Sequence, residues 1–221
     1  YHGGWLHRSG GHINPLGYSR GLARAAHAAG AAVHGDSPVQ SIDREGGHWR
    51  LKLPHGVVRA EKVILATNGY TGNLFPNLRQ TIVPLRSTHV ATTPLGDNVA
   101  KSILPGGHGL SDTRQALWAF RKERYGRIVT TSAPVFTTGA RRRMTESTIK
   151  RLKTAFPQIE QPEIEYVWEG IIAMTQERLP RYHELAGGMI AALGYSGRGI
   201  ALGTAVGRMM AQRILGTPAG E

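Results

Sequence analysis

The segment Gly188-Met-Ile-Ala-Ala-Leu-Gly-Tyr-Ser-Gly-Arg-Gly-Ile-Ala-Leu-Gly203 constrains this fold most, because it reads as strand, glycine turn and helix in succession. Met189 to Leu193 is a short apolar run bounded by glycines, the pattern of a fully buried strand. Gly194, Gly197 and Gly199 permit tight or left-handed backbone and leave main-chain amides open to a ligand. From Ile200 the pattern turns helical and runs to Leu215, with Gly216 and Pro218 as stop signals. A helix entered from such a turn aims unpaired N–H groups and a partial positive charge at whatever lies before it. That suits an anion or a polarisable carbonyl. A close-packed turn without a ligand explains the same residues equally well.

The chain has 221 residues, enough for one large domain or two small ones with a substantial core. No apolar run is long enough to span a bilayer, and Tyr1-His-Gly-Gly-Trp-Leu-His7 lacks the features of a signal peptide. The absence of cysteine excludes disulfides, thiolate metal sites and a cysteinyl cofactor link within the chain, and suits a cytoplasmic location. A chain beginning without methionine is expected to be a fragment or a processed product. Lys+Arg total 27 against Asp+Glu 15, a net charge of +12 that makes nucleic acid a candidate partner. The basic residues are scattered, however, and the densest run, Arg141-Arg142-Arg143, opens an amphipathic helix through Ile149, Leu152 and Phe156. A solvated helix face explains that run better than a nucleic-acid footprint.

Asn14-Pro15 lead into a helix over Gly17 to Ala29, with Gly30 as its stop. Strands are expected at Ala31–His34, Val39–Arg44, His48–Leu53 and Val57–Arg59, the last three joined by glycine turns into antiparallel hairpins. Lys62-Val-Ile-Leu-Ala66 reads as a buried parallel strand ending at Thr67-Asn68-Gly69. Ile82–Thr92, Ala116–Phe120 and Arg127–Thr131 alternate as half-exposed sheet, followed by a helix over Arg141–Phe156 and a long strand from Ile164 to Met174. Mixed α/β architecture follows, with an antiparallel domain inserted between two pieces of an α/β domain.

Hydrolase and metal chemistry find little support. No serine sits in a Gly-x-Ser-x-Gly elbow, no histidine pair has helical ligand spacing with a nearby acid, and no Walker-type run is present. Gly197-x-Gly199-x-x-x-Gly203 also misses the dinucleotide fingerprint in its final spacing.

Four segments together carry more. Gly11 to Ala31 with Ser37-Pro-Val39, then Val63-Ile-Leu-Ala-Thr-Asn-Gly-Tyr70, then Trp168-Glu-Gly170 with Arg178-Leu-Pro180, and Gly194-Tyr-Ser-Gly-Arg-Gly-Ile200 resemble the D-amino-acid-oxidase-like family of FAD-dependent oxidoreductases. Their order and spacing cover nearly the whole chain. Ala66-Thr-Asn-Gly-Tyr70 and Pro84-Leu-Arg-Ser-Thr88 look most like the gamma-glutamylputrescine oxidase branch, with glycine and sarcosine oxidases more distant.

The resemblance implies a partial Rossmann-like FAD-binding domain over 12–80 and 175–221, and an inserted antiparallel-sheet substrate domain over 1–11 and 81–174. It implies FAD contacts at Val39, at Ala66, Thr67 and Gly69, and at Gly194, Gly197, Arg198, Gly199 and Ile200, with N–H groups of the last turn donating to the flavin's pyrimidine carbonyl. Tyr195 and Arg198 are the expected catalytic residues. Trp118, Phe120, Arg121, Ile172 and Met174 are the expected substrate pocket, although packing explains Trp118 and Phe120 equally well and a core or domain-interface place outweighs a substrate role for Trp168.

The expected reaction is oxidation of a small primary or secondary amine by hydride transfer to flavin, with dioxygen or another acceptor regenerating it. The family's Gly-x-Gly-x-x-Gly unit is absent from the chain, so FAD binding is expected to need a segment upstream. Relatives with covalent flavin use a cysteine near the Trp-x-Gly strand; Gly170 and Ile171 stand here, so the FAD is expected to be non-covalent. Ile171, Ile172 and Ala173 occupy the place of a carboxylate-binding arginine, so a free α-carboxylate is disfavoured unless Arg121 or Arg198, the better placed, substitutes. No metal, membrane or nucleic-acid partner is expected. The alternative is a non-catalytic basic binding protein with a degenerate flavoprotein fold.

Overall fold

The computed structural model describes residues 2–114, 117–132 and 140–216, without the side chains of 132 and 140–142. The chain divides into two compact units. One comprises Tyr1–Asn14 and Arg86–Gly170, the other Pro15–Leu85 and Ile171–Glu221. They are called the first and second unit below.

The second unit opens with helix α1 (Pro15–Ala28), where Pro15 supplies the fixed φ suited to a first helical position. Strands β1 (Ser41–Glu45), β2 (His48–Leu53) and β3 (Gly56–Ala60) then form an antiparallel meander with in-register pairing. Residues 31–34 form no strand, because a short run with no partner among the described residues has nowhere to place its backbone hydrogen bonds. A second sheet orders as β10-β11-β4, from β4 (Val63–Leu65), β10 (Arg181–Ala186) and β11 (Met189–Leu193). β10 and β11 make an antiparallel hairpin, while β11 runs parallel to β4 with Met189 opposite Val63 and Ala191 opposite Leu65.

All five residues of β11 are buried, as the glycine-bounded apolar run predicts. Met189, Ala191 and Leu193 pack on one side with Trp49, Val63, Leu65, Leu78, Ile82 and Ala173. Ile190 and Ala192 pack on the other against Met210, Val206 and Ile214 of helix α4 (Gly199–Leu215). Burying a Leu- or Met-sized side chain contributes roughly 1.5–3 kcal/mol, so this strand anchors the unit. β4 departs from expectation: Val63 and Leu65 are buried but Ile64 is 41% exposed, and among the described residues no strand pairs with its outer edge. α1 likewise buries none of its residues, although Tyr18 Oη lies 2.7 Å from Thr204 Oγ1 on α4.

The first unit is built on a five-stranded sheet of order β6-β7-β8-β5-β9. Its strands are β5 (Val83–Thr92), β6 (Leu110–Ser111), β7 (Ala119–Lys122), β8 (Ile128–Ser132) and β9 (Ile164–Met174). β5 and β9 run across the changeover between the units. The long strand at Ile164–Met174 has the bounds read from sequence; for the strand expected at Ala116–Phe120, residue 116 lies outside the described residues. Helices α2 (Asp97–Ser102) and α3 (Ala140–Ala155) complete the unit. Leu152 of α3 and the adjoining Phe156 and Ile159 pack with Phe120, Ile128 and Ile103 in one core. Phe120 meets Phe156 edge-on, centroids 5.2 Å apart.

Candidate cofactor-binding site

The C-terminal ends of the parallel pair β4 and β11 lie side by side, the place where open α/β sheets hold their ligands. β4 leaves through Ala66 and Thr67 into a short 3₁₀ turn over Asn68–Tyr70, and β11 leaves through Gly194 into α4. Asn68 adopts a left-handed φ of 42°, which asparagine tolerates, and its Oδ1 accepts the N–H of Gly194 at 3.1 Å. A side-chain amide therefore ties the two strand ends together. Gly69 is pressed against β9, where an added Cβ would lie 2.4 Å from the carbonyl oxygen of Ile171.

The turn after β11 is pinned from a second direction. The Ser196 N–H donates to Ala173 O at 3.0 Å, and the Thr175 N–H donates to Ser196 Oγ at 3.2 Å. Ser196 and Gly197 both have left-handed backbone, φ 51° and 84°, and the Arg198 N–H returns to Tyr195 O at 2.9 Å. The first bond inside the helix is from Leu202 N–H to Arg198 O, so the N–H groups of Gly199, Ile200 and Ala201 have no intrahelical acceptor. A Cβ added at Gly197 would meet nothing within 4 Å. The result is a fixed concave turn, open at Gly197, with three backbone donors and the positive end of a 17-residue helix behind it.

These details correct parts of the sequence reading. Gly194 does not offer its N–H to a ligand, because Asn68 takes it; its glycine identity reflects a φ of 81° and a Cβ position 2.3 Å from Thr175 Cγ2. Gly69 serves packing in the same way. Tyr195, an expected catalytic residue, packs its side chain against the Ile190, Ala192 and Met210 cluster beneath α4, and this burial raises its hydroxyl pKa. It anchors the turn. Arg198 caps α4 with an exposed side chain, and Ala66 and Ile200 are also exposed. Val39 is half-buried in the connection before β1, outside the turn cluster. Sequence reasoning missed Asn68, Thr175 and Ser196 as the residues that shape the turn; the signal was an asparagine in the turn shortly after the end of β4.

The expected substrate residues divide between the units. Ile172 and Met174 are half-buried on β9, on the strand face opposite the fully buried Ala173. Phe120 is 2% exposed within the core of the first unit, so it cannot wall a pocket. Trp118 packs edge-on against Phe120, with Arg114 4.1 Å and Arg151 5.3 Å from its ring centre, and belongs to that packing too. Arg121 is half-buried on the other face of β7. Trp168 is not a core residue: it is 43% exposed and stacks on His89, centroids 5.6 Å apart and rings 16° from parallel. Burial, and secondarily the Arg121 charge, hold the His89 pKa below its ordinary 6.5. Among the described residues no cluster of three or more His, Asp or Glu gathers as a metal site, and no helix is long and apolar enough to cross a membrane.

Comparison with known proteins accords with this arrangement. The chain is 32% identical over 216 residues to a probable oxidoreductase OrdL of Rhizobium meliloti, covering 98% of this chain and 50% of the relative. It is 28% identical over 217 residues to gamma-glutamylputrescine oxidoreductase of Escherichia coli K12, covering 98% and 51%. The crystal structure of glycine oxidase from Bacillus cereus superposes with a TM-score of 0.74 over 92% of this chain and 56% of that one, at 21% identity, a likeness of fold. The chain thus spans about half the length of the curated relatives it matches. The profile of the DAO family, FAD dependent oxidoreductase, matches residues 1–213, and the chain belongs to that family.

Proposed function

We propose that the turn between β11 and α4 holds the flavin end of FAD, and that the complete protein oxidises a primary or secondary amine, gamma-glutamylputrescine-like or amino-acid-like. The observation that carries this reading is the open left-handed turn at Gly197 beside the ends of two parallel strands. The residues present fit such a group: a flat, polar ring edge needs backbone donors and a surface free of side chains, and this turn supplies both. The second unit is then the cofactor domain and the first unit the substrate domain. When bound, FAD supplies the two-electron acceptor that takes a hydride from the carbon next to the amine nitrogen. Gly199, Ile200 and Ala201 direct N–H groups, and α4 its dipole, toward negative charge forming at the turn. Asn68, Thr175 and Ser196 hold those donors in place, so no reorganisation is needed when charge appears. The chain carries no cysteine to link the flavin.

The test is spectroscopic. Anaerobic addition of an amine to the full-length protein is expected to bleach its visible flavin absorption, and admission of dioxygen or an artificial acceptor to restore it. A spectrum unchanged by gamma-glutamylputrescine, short primary amines and N-methyl amino acids alike contradicts the reading.

A further inference from the structure

One face of the first unit's sheet is committed to its core. Phe120, Thr130 and Val90 are register neighbours across β7, β8 and β5, and all are buried. Strand alternation places Arg121, Val129, Thr131 and His89 on the opposite face, and the ring stack adds Trp168 of β9 to that face. Several other arginines of this unit are matched with carboxylates: Arg86 with Glu169 at 2.7 Å, Arg127 with Glu165 at 2.9 Å, and Arg114 with Asp112. The Arg121 side chain has no hydrogen bond or ion pair among the described residues, and its charge is felt at His89. A half-buried guanidinium on the sheet face that carries the stacked rings is a place for an anion attached to an apolar stem.

We propose that Arg121, His89 and Trp168 form a specificity surface for linear amines that carry a carboxylate far from the reacting nitrogen. The carboxylate pairs with Arg121 and the methylene stem lies along the His89–Trp168 stack. Length follows from the sheet. From β7 to β9 there are three strand spacings, about 14 Å at roughly 4.8 Å each, which an α-amino acid as small as glycine does not cross. His89, held neutral by burial and by Arg121, presents a ring that accepts a hydrogen bond without repelling a cationic amine. Ser87 Oγ, 3.5 Å from His89 Nε2, is the neighbouring polar group on β5.

This inference rests on the amine-oxidising reading above, and the experiment separates the two. The full-length enzyme is assayed with N-glutarylputrescine and with N-butyrylputrescine, which share the amine end and the stem and differ in the carboxylate. In Arg121→Gln the preference for the carboxylated amine is expected to fall on the order of 10- to 100-fold, mostly in KM. Arg121→Lys should recover part of it. Arg86→Gln, a charge removal on the opposite face, should keep the wild-type preference. In parallel, the His89 imidazole titration followed by NMR should move upward in Arg121→Gln, because a nearby positive charge is gone. Retained preference in Arg121→Gln, equal loss on both amines, or an unmoved His89 titration overturns the specificity surface. Failure of the unaltered enzyme to oxidise any amine overturns the functional reading on which it rests.

Discussion

At the scale of single residues, the candidate site is shaped by side chains that bond to the backbone around the turn. Asn68 matters twice, through a left-handed φ and through the hydrogen bond it accepts from Gly194. The two contributions separate by substitution. Asn68→Gly keeps the backbone freedom and loses the acceptor, leaving the Gly194 N–H buried without a partner. Asn68→Ala loses the acceptor and also strains φ. An unpaired buried donor costs about 1–3 kcal/mol, and roughly 2–4 °C of melting temperature accompanies each kcal/mol in a chain of this size. Both variants should melt below the parent, Asn68→Ala the lower of the two. Equal melting temperatures for parent and Asn68→Gly in a thermal scan would show that the bond carries no stability. Tyr195 makes the complementary point: an aromatic residue inside a cofactor-like turn packs under the helix, and only its neighbours in space reveal that.

At the scale of elements, α4 carries two interior glycines, Gly203 and Gly207, around which an added Cβ meets nothing. Glycine inside a helix is less favourable than alanine by about 0.5–1 kcal/mol. Gly203→Ala should therefore stabilise the protein by that amount in denaturant unfolding, whereas Gly69→Ala, driven into the Ile171 carbonyl, should destabilise it by about 1–3 kcal/mol. A destabilised Gly203→Ala would mean that something packs closely on that helix face. Elements with internal periodicity were legible in the sequence: β2, β9, β11 and α4 lie within a residue or so of their expected bounds. Elements whose existence depends on a partner were not. The run at 31–34 has strand composition but no neighbour to pair with among the described residues, and β10 shows no signal of its own because its burial alternates only once it is hydrogen-bonded to β11. β4 read as fully buried because its three residues are uniformly apolar, yet only one of its edges is paired among the described residues. The turn itself was legible as a glycine-framed helix entrance, and the assignment of its donors was not, since Asn68 is 126 positions from Gly194 in sequence.

At the scale of the whole molecule, the net charge of +12 is distributed over both units, and it is the excess left after carboxylates are matched in pairs such as Arg127–Glu165 and Arg213–Glu184. Exposed pairs of this kind contribute little stability each, so the charge shapes surface and solubility more than fold. A basic binding protein without catalysis draws no support from the relatives, whose names are those of oxidoreductases. The central claim is that the Gly197 turn receives the flavin, and one variant isolates it. Asparagine tolerates the left-handed backbone at Gly197, and the space around that position is empty of protein, so Gly197→Asn should leave folding intact while filling the approach to the turn. The decisive measurement is the FAD content of full-length Gly197→Asn beside that of the parent, with the melting temperature of each apoprotein as the check on folding. The account predicts stoichiometric FAD in the parent, little or none in the variant, and closely similar apoprotein melting. Full FAD retention by a folded Gly197→Asn protein would contradict it.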